Sequence, residues 1–133
     1  MTARVQPDVL VAIAAGGILG ATARFKLAEA LPTSPGTFPW ATFWTNMSGS
    51  FVLGFVLILL LERVRPHRLL RPFLATGVLG AFTTMSTYLV ETAVLIKDGH
   101  ATVGITYALS SLVLGLLLAF AGMIGARQLT QHR

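Results

Sequence analysis

The sequence predicts an all-α membrane protein built on four transmembrane helices, and three observations carry that prediction. Of 133 residues, 54% are hydrophobic and 11% charged. The mean hydropathy is +0.74, well outside soluble composition. Asp, Glu, Lys and Arg are missing from four stretches, Val9–Ala23, Ala30–Leu61, Pro72–Val90 and Ala101–Ala126, and a spanning helix needs about 20 mostly apolar residues. Four such helices with short connections use nearly the whole chain as a single domain, 1–133, with spans at about 8–31, 40–61, 72–96 and 101–126. No room is left for a water-exposed enzyme.

The first stretch, Asp8 to about Leu31, carries Gly16, Gly17 and Gly20, a spacing that lets a second helix approach closely. Arg4 ahead of it and Ala28-Glu29-Ala30 near its end have the form of a signal peptide. Arg24 and Lys26 interrupt the run before any cleavage site, however, so the stretch is read as the first span. The connection Pro32 to Pro39, PTSPGTFP, ends the helix and turns the chain. Trp40 and Trp44 follow as interface anchors for the second span. The next connection, Glu62 to Arg71, holds four arginines against one glutamate, with Pro66 as a helix breaker, and is expected in the cytoplasm. In the third span, Gly77 to Tyr88 contains two glycines and four Ser or Thr residues where a lipid-facing helix would hold Leu and Val. A break is expected there. Lys97-Asp98-Gly99-His100 leads to the fourth span, and QLTQHR is a polar tail.

The net charge of +5 follows this layout rather than a nucleic-acid face, because the basic residues sit in loops and tails. With both termini and the Glu62–Arg71 loop cytoplasmic, seven of the ten basic residues fall on that side: Arg4, Arg63, Arg65, Arg68, Arg71, Arg127 and Arg133. There is no cysteine, and His67, His100 and His132 stand apart, so a disulfide frame, haem attachment and a thiolate metal centre are excluded.

Several polar residues lie inside the spans. Ser111, Gly115 and Ala119 recur at i, i+4 and i+8, with Tyr107 one turn earlier on the same face. Gly115 and Ala119 suit close helix packing, whereas the hydroxyls of Tyr107 and Ser111 can either pack or line a polar path. The second span holds Thr42, Thr45, Asn46, Ser48, Gly49 and Ser50 within nine positions. An Asn in hydrocarbon must find partners for two donors and an acceptor, as a clamp between helices or as a binding group. Glu91 is the one acid well inside an apolar segment, and such groups are functional by default, although the end near Lys97 would also allow an interfacial position. Arg24 is either an interfacial anchor or part of a charged vestibule. Unwound backbone near Gly77 to Thr84 could hold a small cation through carbonyls. A polar but mostly uncharged track suits a small ion that must shed water and leave quickly. These residues do not choose the ion.

The motifs resemble the small bacterial fluoride channels called Fluc or CrcB along all four spans. Gly16-Gly-Ile-Leu-Gly20-Ala-Thr-Ala-Arg24-Phe25 resembles the family's first-helix motif. Thr42, Asn46, Gly49-Ser-Phe51 and Gly54 resemble its second, and Gly77-Val-Leu-Gly80-Ala-Phe-Thr83-Thr84-Met85-Ser86-Thr87-Tyr88 its broken third helix. Tyr107 with Ser111 and Gly115 resembles its fourth. The resemblance implies a passive fluoride-selective channel in a prokaryotic cell membrane, working as a dual-topology antiparallel dimer with two pores. Asn46 would hydrogen-bond fluoride, Thr42, Ser86, Tyr107 and Ser111 would be pore hydroxyls, and Glu91 would lie close to the path. Arg24 would belong to the vestibule. The carbonyls of Gly80 and Thr83 from both subunits would hold a structural sodium ion.

One departure is visible: the family usually has phenylalanine at two third-helix positions whose ring edges face an anion, and here they are Met85 and Tyr88. Tyr88 keeps a ring and adds a hydroxyl donor; Met85 offers only a thioether and methyl hydrogens. The basic residues, seven against three, fit either a homodimer or a heterodimer with an oppositely oriented paralogue. Competing classes are a small proton-coupled multidrug-type exporter, which needs a deep carboxylate, and a non-conducting subunit that requires a paralogous partner.

Overall fold

A computed structural model describes residues 6–63 and 67–131. Arg4, Arg65, Pro66, His132 and Arg133 lie outside the described residues. Among the described residues, four helices are long and apolar enough to cross a membrane: Pro7–Ala30, Trp40–Leu61, Pro72–Lys97 and Ala101–Leu129.

The first helix (Pro7–Ala30) begins with proline, whose missing N–H costs nothing in the first turn, and with Asp8, whose charge suits the positive end of the dipole. Asp8 also forms an ion pair with Arg68 in the loop after the second span. The connection to the second helix (Trp40–Ile58) turns at Gly36, which has a φ of 75°, directly beneath the His100 imidazole. The second helix continues through Leu59–Arg63 in the wider π spacing. The fourth helix (Ala101–Gln131) extends past Ala126, where the charge pattern ended the span. Arg, Gln and Leu in that extension are good helix formers, and an arginine stops a hydrophobic run without stopping a helix.

The third span has three parts. A π-wound segment, Pro72–Leu79, and one α turn, Gly80–Phe82, precede Thr83 (φ −76°, ψ 155°) and Thr84 (φ −146°, ψ 121°), both extended. The chain resumes as an α-helix over Met85–Lys97. The Thr84 side chain caps that restart, accepting from the Thr87 N–H at 3.2 Å.

Small residues decide which helices touch. The first helix packs on the first half of the third span, where a Cβ on Gly20 would collide with the Val78 carbonyl. The second helix packs on the fourth, where a Cβ on Gly54 would collide with the Ala119 carbonyl. The second half of the third span leans on the fourth helix. Phe43, Met47, Leu95 and Tyr107 form the buried cluster between these elements. Leu112, Leu116 and Phe120 on the fourth helix face outward, as a bilayer allows.

Candidate functional site

Two extended residues inside a span leave backbone groups that hydrocarbon cannot satisfy. Asn46, on the second helix, supplies the partner. Its Nδ2 donates to the Thr84 carbonyl at 2.9 Å, and the Thr84 N–H donates to its Oδ1 at 2.9 Å. One side-chain amide thereby replaces the lost helical bonds of Thr84 and ties the second helix to the third. Gly49, one turn later, leaves the room that the Thr83 side chain fills. Thr83 Oγ1 donates back to the Leu79 carbonyl at 2.9 Å.

A second group forms around Glu91. Thr42 Oγ1 donates to Oε1 at 2.8 Å, and Tyr107 Oη donates to Oε2 at 2.7 Å. Each carboxylate oxygen thus has a hydroxyl donor from a different helix, which is how an acid inside a span is made tolerable. Tyr107 is fully buried, held edge-on by Phe38 at a centroid distance of 5.2 Å and flanked by Tyr88 at 5.4 Å.

Between the second, third and fourth helices lies a cavity of about 310 Å³ whose lining includes Asn46, Ser50, Met85, Tyr88, Ser111 and Gly115. Ser111 Oγ is buried there with no hydrogen-bond partner among the described residues. A polar group in that state is unusual and calls for an explanation. Tyr88 presents its ring to the cavity, but its hydroxyl donates to the Ala108 carbonyl at 2.9 Å. The extra donor foreseen at this position is therefore already committed within the chain. Met85 is 67% exposed and Ser86 is exposed beside Thr84, 3.4 Å from its hydroxyl. A separate cavity of about 470 Å³ lies between the first three spans, lined by Arg24, Phe25, Thr42, Thr45, Thr84 and Thr87 among others.

The sequence-predicted residues thus fall into four places. Thr42 and Tyr107 both bond to Glu91, and Asn46, Thr83, Met85, Tyr88 and Ser111 share one cavity. Arg24 heads the other cavity. Gly80 and Ser86 lie on the outer face of the third span. Sequence reasoning missed Thr84, the backbone partner of Asn46 and the cap of the restarting helix. Its signal was a Thr directly ahead of a helical run. It also missed the Ala108 carbonyl, for which no side-chain pattern exists.

Whether the third span fits a cation depends on its carbonyls, since the described residues contain no group of three or more His, Cys, Asp or Glu that could hold a metal. Thr83, at ψ 155°, directs its carbonyl out of the helical ladder, and Gly80 one turn earlier is exposed. Carbonyl oxygens suit a hard monovalent cation. One chain offers too few such oxygens for a full shell.

Comparison with known proteins adds an independent line. The family described as CrcB-like protein, Camphor Resistance (CrcB), matches residues 11–123. The chain is 42% identical over 130 residues to fluoride-specific ion channel FluC 3 of Streptomyces avermitilis, a match that covers 98% of this chain and 64% of that protein. It is 43% identical over 107 residues to FluC 2 of the same organism, covering 80% and 68%. With FluC 1 of Streptomyces coelicolor the identity is 40% over 131 residues, covering 98% and 84%. The chain therefore spans less than two thirds of the first of these relatives and more of the other two.

Proposed function

Because the chain belongs to the CrcB-like family, we propose that it is a passive, fluoride-selective ion channel that lets cytoplasmic fluoride leave a prokaryotic cell across its plasma membrane. It is a multi-pass membrane protein with four helices able to span a bilayer, and a channel rather than an enzyme. The observation that carries the reading is the cavity beside Asn46, whose polar lining is uncharged and whose Ser111 hydroxyl is buried without a partner among the described residues. Fluoride is compact and strongly hydrated, so donors must replace its shell, yet a fixed cation would hold it too tightly for conduction. The Ser111 hydroxyl and the second N–H of the Asn46 amide are neutral donors of the required kind. Thr42 and Tyr107 donate to Glu91 and so hold that carboxylate beside the path. Tyr88 contributes a ring edge, and Arg24 draws anions to the vestibule.

The same proposal includes assembly. Gly80, Met85 and Ser86 are exposed in the middle of a span, where lipid leaves polar backbone unsatisfied, and a second copy of the chain would cover them. An antiparallel, dual-topology homodimer with a broken third helix in each subunit brings the Gly80 and Thr83 carbonyls of both chains together. A sodium ion held by those oxygens would fix the dimer centre. Streptomyces avermitilis carries both a FluC 2 and a FluC 3, and an oppositely oriented paralogue is the partner if the homodimer fails.

The test is fluoride efflux from liposomes containing this protein alone, read with a fluoride electrode, with a chloride control and a potassium ionophore to carry compensating charge. Rapid fluoride release without chloride release is the expected outcome. No release from inserted, folded protein, with release restored by a paralogue, would replace the homodimer; no release under either condition would end the channel reading.

A further inference from the structure

The cavity headed by Arg24 is far larger than a monatomic ion requires. It holds about 470 Å³, against the ~30 Å³ that one water occupies in the liquid. Three of its four threonine hydroxyl protons are already committed: Thr42 donates to Glu91, Thr45 to the Ala41 carbonyl and Thr84 to Thr87. Two donors remain on the lining, the Thr87 hydroxyl and the Arg24 guanidinium. Arg24 is half-buried and has no hydrogen bond or ion pair among the described residues. The neighbouring Lys26 is paired with Glu29 at 2.8 Å, so that carboxylate is engaged elsewhere. A guanidinium within a spanning helix and without a counter-anion is costly.

The chemistry of the donors selects a ligand class. A guanidinium offers parallel N–H pairs that match two oxygens on one atom, a grip that a spherical halide cannot use. Thr87 adds a donor for a further oxygen, which a carboxylate lacks. Arg24 lies six residues before Ala30, about 9 Å along the helix at 1.5 Å per residue, within reach of a bilayer's phosphate layer. Phe25, 60% exposed, gives the cavity an apolar rim. We propose that this cavity binds a phosphate group with three free oxygens, from a lipid phosphomonoester such as phosphatidic acid or from inorganic phosphate, with Arg24 gripping two oxygens and Thr87 a third. Thr84 lines both cavities, and its paired bonds to Asn46 stand between them. The phosphate is stopped at this wall.

The test reads binding, not conduction, so it stands whether or not the protein passes fluoride. In one arm, inorganic phosphate is titrated into the delipidated full-length protein in detergent and followed by phosphorus NMR line width. In the other, the protein is placed in phosphatidylcholine nanodiscs with or without phosphatidic acid, and retained lipid is measured by native mass spectrometry. Binding in either arm that weakens at least tenfold in Arg24→Gln and less in Arg24→Lys is the expected result, and the arm that responds names the source. Absence of binding in both arms would overturn the proposal. So would unchanged affinity in a folded Arg24→Gln protein. If that variant fails to fold, Thr87→Val decides: a several-fold loss supports the site, and unchanged affinity removes it.

Discussion

Asn46 spends one N–H and its carbonyl oxygen on the backbone of a single residue, Thr84, and this makes it both a clamp and a donor with one N–H to spare. Asn46→Ala orphans a backbone N–H and a carbonyl in low dielectric, at a cost of about 1–3 kcal/mol per group. Thermal unfolding in detergent should show that loss, and fluoride efflux should fall by at least about tenfold, the equivalent of ~1.4 kcal/mol in the barrier. Met85→Ala, at a 67% exposed position, should leave more activity than Asn46→Ala. The reverse order would shift the ion's main contact from Asn46 to the third span. Tyr88→Phe removes one hydroxyl bond to the Ala108 carbonyl, worth about 0.6–2 kcal/mol between membrane helices, and keeps the ring. Stability should drop by that amount while selectivity for fluoride over chloride is retained. Glu91→Gln keeps an acceptor for Thr42 or Tyr107 and removes the charge. Passive efflux should weaken without acquiring or losing any dependence on a proton gradient. Complete loss of gradient-driven transport in this variant would instead identify an exporter.

Among the elements, the helices are held by contact between backbones. A Cβ on Gly54 would strike the Ala119 backbone, and one on Gly20 the Val78 backbone, whereas Gly17 on the same helix faces open space. Gly54→Val should therefore separate the second and fourth helices and cost about 1–3 kcal/mol or more through overpacking. Gly17→Ala should be neutral or slightly stabilising, since alanine favours helix. Size-exclusion profiles and unfolding midpoints of the two variants check the contrast. Equal behaviour would mean that the Gly54 contact does not set the packing.

For the whole molecule, the outer face of the third span is the incomplete part. Gly80, Met85 and Ser86 are exposed there, next to extended backbone at Thr83 and Thr84. The proposed antiparallel homodimer predicts that tags on both termini are found on both sides of the membrane. Finding them only in the cytoplasm would agree with the arginine-rich Glu62–Arg71 loop and would require an oppositely oriented paralogue.

The four spans were legible in the sequence because bilayer thickness and the helical rise are constraints that each segment meets alone. Asn46 and Glu91 stood out for the same reason, since a polar group in an apolar run is visible without knowing its neighbour. Their partners were not. Asn46 meets a backbone 38 residues away, and Glu91 receives Thr42 from 49 residues away and Tyr107 from 16. Thr45 and Ser48, on the same helix as Thr42, bond back to the carbonyls of Ala41 and Trp44. In the sequence those hydroxyls look alike. A helical Thr or Ser has a carbonyl one turn behind it that can always accept, and whether it reaches across instead depends on how the helices are rotated and how closely glycine lets them approach. The tertiary structure alone decided which hydroxyls face Glu91, why the Tyr88 donor is spent, and that the Ser111 hydroxyl is left without a partner among the described residues.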